Sequence, residues 1–168
     1  ARENGTRVLL SGMGADELFA GYRKHLSVQI ADIYKRVFPT VVREHIIEPL
    51  TDFFPVAGKR RGYKLFRWGK RFIRNASLPH MECFMGNYAY YSAAELNDLL
   101  QPEFRFDWED SYGVVRHYDH LSAVRNRDLI TQMTYLDSKL FLPALNLAYT
   151  DKASMAAGVE VRVPFVDH

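Results

Sequence analysis

Apolar residues recur at helical spacing along most of the chain, and only two stretches have the pattern of a β-strand. The apolar run Val8–Leu10 predicts a short, buried strand. Residues 159–165 alternate valines with Glu160 and Arg162, which predicts an extended segment with both charges on one side. The remaining periodic stretches predict helices, near residues 15–26, 30–38, 40–48, 59–74, 92–100, 111–121, 123–141 and 152–156.

Prolines and short polar residues set the expected ends of these helices. Pro39 should stop the second helix, and Pro49 should bend or end the third. Thr40 and Ser92 are expected to cap the helices that follow them. The result is a mainly α chain with one N-terminal strand and then a helical bundle. A lone parallel strand does not make a sheet, so we expect its partners upstream in a longer protein.

Composition places the chain among ordinary globular proteins. Its 168 residues are 48% hydrophobic and 14% aromatic, enough to bury a core. No apolar run approaches the roughly 18 residues of a membrane helix, and the start does not have the pattern of a signal peptide. Cys83 is the only cysteine, which agrees with a reducing compartment. We therefore expect a cytoplasmic protein without membrane contact.

The net charge of +2 conceals a basic block followed by an acidic one. Residues 55–81 contain no acid, and the predicted helix 59–74 interleaves cations with aromatic residues, a pattern also found in nucleic-acid-binding segments. The apolar residues of that helix form a stripe, which instead favours packing of a buried face. The stripe consists of Leu65, Trp68, Gly69, Phe72 and Ile73. Nucleic-acid binding is therefore the alternative interpretation.

Candidate chemistry is concentrated in the turn after the first strand. Gly12 and Gly14 flank Met13, and glycines there allow the backbone to turn tightly and approach a ligand. Asp16 and Glu17 follow, at the start of the predicted helix. Adjacent carboxylates at that position either bind a metal-phosphate group or only cap the helix. His117 and His120 lack further ligands at a supporting spacing and are interpreted as surface histidines.

Three ordered motifs resemble the glutamine-dependent asparagine synthetase family. Residues 10–22, Leu-Ser-Gly-Met-Gly-Ala-Asp-Glu-Leu-Phe-Ala-Gly-Tyr, are similar to that family's second nucleotide-site motif. Residues 151–167, with Asp-Lys-Ala-Ser-Met-Ala-Ala-Gly and Val-Pro-Phe-Val-Asp, resemble a second family segment, and residues 135–143 resemble the element before it. About residues 25–130 carry no such motif, so expectations there rest on helical pattern alone.

The resemblance implies that residues 1–168 are part of an adenine nucleotide alpha hydrolase-like α/β synthetase domain. Such an enzyme uses ATP and Mg²⁺ to adenylate a carboxylate, by default that of aspartate, and transfers glutamine-derived ammonia to it. Asparagine, AMP and pyrophosphate result, and a glutaminase domain of the same parent supplies the ammonia. A homodimeric parent stays open. The family's pyrophosphate loop and catalytic lysine have no counterpart here, so we expect no catalytic residue within the chain and no activity from it alone.

The resemblance also implies roles for individual residues. Asp16 resembles the family's Mg²⁺ ligand, and the nucleotide and acyl group should lie against Ser11, Gly12, Met13, Gly14 and Glu17. Supporting roles are expected for Lys152, Glu160 and Arg162, although the last two fit a purely structural ion pair equally well.

Met13 departs from the family pattern, because asparagine synthetases often carry glutamate between the two glycines. A thioether accepts no proton and binds a cation weakly, so the acyl substrate is open. A third interpretation is an interaction domain that kept the fold and lost the chemistry. If the chain is a synthetase, its two ends should meet, with residues 11–16 close to residues 154–162, so that both segments line one cleft.

Overall fold

The computed structural model describes residues 2–53, 61–87, 89, 91, 93–107 and 110–167. Most of this part of the chain is helical, as predicted. The α-helices are α1 (Ala15–Phe19), α2 (Arg23–Val37), α3 (Thr40–Val42), α4 (Glu48–Asp52), α5 (Arg61–Ala76), α6 (His80–Gly86), α7 (Ala93–Leu99), α8 (Tyr112–Ser122), α9 (Leu129–Leu136) and α10 (Ala148–Ala156). The 3₁₀ turns are Arg2–Asn4 and Pro102–Phe104, and the π-helical segments are Arg43–Ile47 and Asp137–Leu147. Within the described ranges no helix is long and apolar enough to cross a membrane.

Two short strands pair in parallel. They are β1 (Val8–Leu10) and β2 (Glu160–Arg162), with Val8 opposite Glu160 and Leu10 opposite Arg162. The expectation of one strand without a partner in the chain is therefore wrong. Parallel strands need a long crossover, and here most of the sequence lies between the two.

β1 is not buried as predicted. Val8, Leu9 and Leu10 are 39%, 43% and 74% exposed. An apolar strand is buried when other elements cover both of its faces, and the principal neighbour of β1 is β2 alone. The apolar pattern was right about the strand and wrong about its environment.

Two compact units divide the chain. The first unit comprises residues 1–22 and 102–168, with both strands, α1 and α8 to α10. The second unit comprises residues 23–101, with α2 to α7. The motif-bearing stretches at both ends of the chain thus belong to the first unit.

The predicted helix over residues 15–26 is broken in the structure. α1 ends at Phe19 because Ala20 adopts a left-handed conformation with φ of 58°. The Gly21 amide then donates to the Asp16 carbonyl oxygen at 3.0 Å, which closes the helix. α2 begins at Arg23 and ends before Pro39, so it starts earlier than predicted and ends where predicted.

Helical structure from Thr40 to Asp52 also differs from the prediction. Pro39 precedes the first helical residue, and no side chain caps this end. The Thr40 hydroxyl instead accepts a hydrogen bond from Arg43 Nη2 at 3.0 Å. Pro49 does not end the run, because it lies in the first turn of α4, directly after a π-helical segment. A proline at that position costs little, since an N–H there has no α-helical acceptor to lose.

The long C-terminal helix begins later and continues further than predicted. Residues 123–127 are turns and bends, and Asp128 caps α9 by accepting a hydrogen bond from the Thr131 amide at 3.0 Å. Helical structure then runs from residue 129 to residue 156, through Pro143 in its π-helical part. The wider π turns change which backbone groups pair, so the missing N–H of Pro143 is tolerated. The predicted helix 152–156 is the end of α10, whereas α8 and its cap Ser111 confirm the predicted helix 111–121.

An apolar core holds the second unit together. Its fully buried side chains include Phe84 and Cys83, and Phe84 stacks on the buried His25 ring at 6.0 Å between centroids. The predicted stripe on α5 is only partly buried, because Phe72 and Ile73 are half-buried while Trp68 is 62% exposed. The side chain of Leu65 and the predicted cap Ser92 lie outside the described residues.

Candidate functional site

A pocket of about 370 Å³ opens beside the turn that follows β1. Its walls come from that turn, from α1 and Tyr22, and from the C-terminal long helix. The lining residues are Ser11, Gly12, Met13, Gly14, Asp16, Glu17, Tyr22 and Asn146. Six of these eight were predicted from the sequence as site residues, and all eight belong to the first unit.

Gly14 gives the turn its shape. Its φ of 90° lies in the left-handed region, and a Cβ there would overlap Val166 Cγ2. Glycine is therefore required on both conformational and steric grounds. Gly12 differs, because a Cβ on it would meet no protein atom within 4 Å. Packing therefore does not require glycine at position 12. Because Gly12 has no side chain and lines the pocket, its backbone is accessible from the pocket.

The turn is attached to the end of the parallel strand pair. The Ser11 amide donates to the Arg162 carbonyl oxygen at 2.9 Å, and the Ser11 hydroxyl accepts a hydrogen bond from the Met13 amide at 3.3 Å. The two ends of the chain thus meet, as predicted, but the predicted shared cleft is wrong, because no residue of 154–162 lines the pocket. The meeting occurs through backbone pairing, and the charged side chains of β2 take no part in the pocket wall.

Asp16 lies in the first turn of α1 with its side chain exposed at the pocket. Its carboxylate accepts no hydrogen bond from any described residue, and it folds over the Gly21 backbone. A Cβ on Gly21 would overlap Asp16 Oδ1, so glycine at that position makes room for the carboxylate. Asp16 therefore lines the pocket with Oδ1 against Gly21 and without a hydrogen-bond donor among the described residues.

Glu17, in contrast to Asp16, is buried and only 1% exposed. Tyr22 Oη donates to Glu17 Oε1 at 2.6 Å, and Asn146 Nδ2 donates to the same oxygen at 2.5 Å. Asn146 Nδ2 also contacts Tyr22 Oη at 3.0 Å. A buried carboxylate needs such donors, because an unpaired charge in the interior is costly.

The phenol of Tyr22 is a permanent donor at this site. Its pKa is raised far above the ordinary value, first by burial and then by the hydrogen bond to Glu17 and the negative charge of that residue. The phenol therefore stays protonated throughout the neutral range and donates to Glu17. In the sequence Tyr22 stands only at the end of a motif. Asn146 was missed, because it is 129 residues from Glu17 and carries no local signal.

Met13 forms an uncharged part of the pocket wall. The Thr150 hydroxyl lies 2.7 Å from Met13 Sδ, so the thioether is held against the long helix. Apart from Tyr22, the ionisable side chains in the wall are Asp16 and Glu17. Among the described residues, this wall therefore carries carboxylates and no cationic side chain.

The three predicted supporting residues do not line the pocket. Arg162 Nε donates to Glu160 Oε1 at 2.7 Å on the exposed side of β2. This hydrogen bond and the Glu160 charge raise the pKa of the Arg162 guanidinium. Lys152 is exposed on α10. The geometry of Glu160 and Arg162 agrees with the interpretation of a structural ion pair.

The basic helix α5 belongs to the second unit and shows mixed features. Arg71 donates to three backbone carbonyl oxygens at the end of α6, those of Gly86, Asn87 and Ala89. This cation thus closes a neighbouring helix. Lys59 and Arg60 lie outside the described residues. Phe66 and Trp68 are 43% and 62% exposed.

No group of three or more His, Cys, Asp or Glu side chains suited to a metal ion occurs within the described ranges. His117 Nδ1 lies 2.6 Å from the Gly113 carbonyl oxygen on its own helix, which engages that ring locally. A metal at the pocket would therefore depend on oxygen atoms from a ligand or water in addition to the protein.

Comparison with known proteins places the chain in a family. The family model described as asparagine synthase matches residues 1–168. A putative glutamine-hydrolysing asparagine synthetase of Mycobacterium bovis is 30% identical over 167 residues, which are 96% of this chain and 22% of that protein. Glutamine-hydrolysing asparagine synthetase 1 of Bacillus subtilis is 26% identical over 160 residues, 95% of this chain and 23% of that protein.

No solved structure gave a significant match. The chain spans less than a quarter of the length of these curated relatives. Because the family model covers the whole sequence, including the stretch without recognisable motifs, the assignment does not depend on the pocket residues alone. The chain belongs to the asparagine synthase family.

Proposed function

We propose that the chain is part of the synthetase domain of an ATP-dependent amidotransferase. The enzyme adenylates a carboxylate, by default that of aspartate, and transfers glutamine-derived ammonia to it, giving asparagine, AMP and pyrophosphate. The observation that carries this proposal is the pocket beside the glycine turn. The accessible backbone of Gly12 and the Asp16 carboxylate, which accepts no hydrogen bond from a described residue, both line it.

The pocket residues fit one part of a Mg²⁺ site, and a bound nucleotide would supply the other ligands. Mg²⁺ prefers one or two carboxylates together with phosphate oxygens and water, and Asp16 offers one carboxylate. The metal would neutralise charge on the phosphates when bound. The backbone from Ser11 to Gly14 would lie against the nucleotide and acyl group, where glycine allows close approach. This chemistry relies on positioning and electrostatic stabilisation.

The complete enzyme needs more than this chain. We infer that residues 1–168 form a partial synthetase domain, and that a glutaminase domain of the same parent supplies ammonia, since the relatives are named as glutamine-hydrolysing. The proposed location is the cytoplasm. We also propose that the isolated chain is inactive, because the family's pyrophosphate loop and catalytic lysine have no counterpart in residues 1–168. The described residues of the pocket wall likewise offer no cationic group for the phosphates. Aspartate is the default acyl substrate, and other carboxylates are alternatives because Met13 stands where asparagine synthetases often carry glutamate.

Substitution of Asp16 tests the metal assignment in the complete enzyme. Asp16→Asn keeps the size of the side chain but provides a poorer Mg²⁺ ligand, so ATP–pyrophosphate exchange should fall by about 100-fold or more at low Mg²⁺. The folded state should be retained, because Asp16 is exposed. Asp119→Asn, an exposed aspartate of α8, is the matched control and should exchange like wild type. Wild-type exchange in Asp16→Asn at low Mg²⁺ would contradict the assignment.

A further inference from the structure

Helix α1 has few of the usual sources of helix stability. It has five residues, and Gly14 at its N-cap provides no side-chain hydrogen bond. Leu18 and Phe19 are 44% and 73% exposed, and the Phe19 ring makes an edge contact with Phe165 at 6.1 Å between centroids, so its two large apolar residues are only partly covered. Helices this short do not persist in water without tertiary contacts. Glu17 is the buried residue of α1, and the helix is therefore anchored by a polar side chain.

The anchor of Glu17 comes from a distant part of the chain. Asn146 belongs to the π-helical segment of the long C-terminal helix, and its amide donates to both Glu17 and Tyr22. Tyr22 follows α1 directly and closes the triangle by donating to Glu17. The three side chains thus tie both ends of the residue 17–22 segment to one amide. A donor is required at position 146, because Glu17 is an acceptor that is removed from water.

We propose that Asn146 is a positioning residue of this site. Its amide holds Glu17, Glu17 holds α1, and α1 carries Asp16 at the mouth of the pocket. Asn146 also lines the pocket, and the role proposed for it acts through Glu17 and α1. The role assigned to Asp16 rests on the proposed function, whereas the anchoring of α1 by Asn146 does not.

A reciprocal swap tests the proposal in the complete enzyme. Asn146→Asp removes the donor and places a second carboxylate against Glu17, and Glu17→Gln removes the acceptor charge. Each single variant should need about 10- to 100-fold more Mg²⁺ for half-maximal ATP–pyrophosphate exchange, the usual effect of losing the support of a metal ligand. The double variant E17Q/N146D exchanges donor and acceptor, because the amide introduced at position 17 can donate to the carboxylate introduced at position 146, and Tyr22 can turn its hydroxyl to that carboxylate. It should recover most of the loss.

Amide hydrogen exchange of residues 12–22 gives a readout without nucleotide or metal. Asn146→Asp should accelerate hydrogen exchange in that segment, and in the double variant hydrogen exchange should be slow again. α8 serves as the internal reference and should be unaffected. Asn4→Asp adds the same charge at an exposed position of the first unit and should behave like wild type in both measurements.

The two measurements separate the possible failures. Hydrogen exchange of residues 12–22 at the wild-type rate in Asn146→Asp would overturn the positioning role. So would a double variant whose Mg²⁺ requirement shows the sum of the two single effects, with no recovery. If the wild-type enzyme showed no ATP–pyrophosphate exchange with any carboxylate, the proposed function would fail while hydrogen exchange still decided the anchoring. If Asn146→Asp did not fold, refolding of the double variant would support the proposal and its failure to fold would count against it.

Discussion

Both units of this chain bury mainly apolar side chains, and they differ in the polar groups buried among them. Among the described residues, the second unit fully buries Phe84, Val28 and Ala31, and its buried polar side chains are His25, Arg43 and Thr51. The first unit buries Met133 and Leu136, and its buried polar side chains are the carboxylates Glu17 and Asp137, each only 1% exposed. Buried apolar groups stabilise a fold without specifying a ligand, whereas a buried carboxylate is retained only with donors arranged around it. The pocket lies in the unit with the buried carboxylates.

The contrast extends to how helices are held. α2 has a row of apolar residues and extends over 15 residues, with Val28 and Ala31 fully buried. α1 has five residues and is held by hydrogen bonds to Glu17. We therefore expect substitutions in the apolar core beside α2 to lower global stability, and substitutions around Glu17 to change the geometry of the site.

The largest expected change in stability comes from the apolar core of the second unit. Phe84→Ala should lower the free energy of unfolding by about 3–5 kcal/mol, because it removes a fully buried ring and leaves a cavity. Phe53→Ala is the matched control, since that ring is 84% exposed and its loss should cost little. Chemical denaturation of both variants measures the difference. Equal effects would erase the distinction between the core and the surface of this unit.

Smaller effects on stability are expected from substitution of the two glycines of the turn. Comparing the two variants distinguishes a role in folding from a role in ligand binding. Gly14→Ala should destabilise the first unit by about 1–2 kcal/mol from backbone conformation alone, and more because Val166 must move. Gly12→Ala should leave stability within about 0.5 kcal/mol, since its Cβ meets no protein atom within 4 Å.

Nucleotide affinity completes this comparison. In the complete enzyme, Gly12→Ala should weaken ATP binding if the nucleotide approaches the backbone there, and calorimetry measures that loss. Unchanged ATP affinity in a normally folded Gly12→Ala variant would remove Gly12 from the proposed binding surface.

The smallest expected effect concerns the alternative interpretation, in which α5 binds nucleic acid. Arg71 is engaged with backbone carbonyl oxygens, so binding to random duplex or single-stranded DNA should be weak. Fluorescence anisotropy at about 150 mM salt should show dissociation constants no tighter than the ~10⁻⁴ to 10⁻⁶ M of non-specific binders. Submicromolar binding that Arg67→Ala and Lys70→Ala weaken would favour the alternative function for the second unit.

Local chemistry made several features predictable from the sequence. Pro39 ends α2 where predicted, because a proline inside a helix removes an N–H donor and clashes with the preceding turn. Six of the seven motif residues from Ser11 to Glu17 line one pocket, because they are close in sequence and the turn that bends them is set by Gly14. The family resemblance followed from this motif and two further contiguous ones, and the family model covers the whole chain.

Tertiary structure decided the rest. The break at Ala20, the exposure of β1 and the passage of the long helix through Pro143 depend on neighbours that periodicity does not reveal. Above all, the sequence placed Glu17 in the site but not its partner. Asn146 becomes a donor to Glu17 only because the long helix passes beside α1, and no pattern within a few residues encodes a contact across 129 positions.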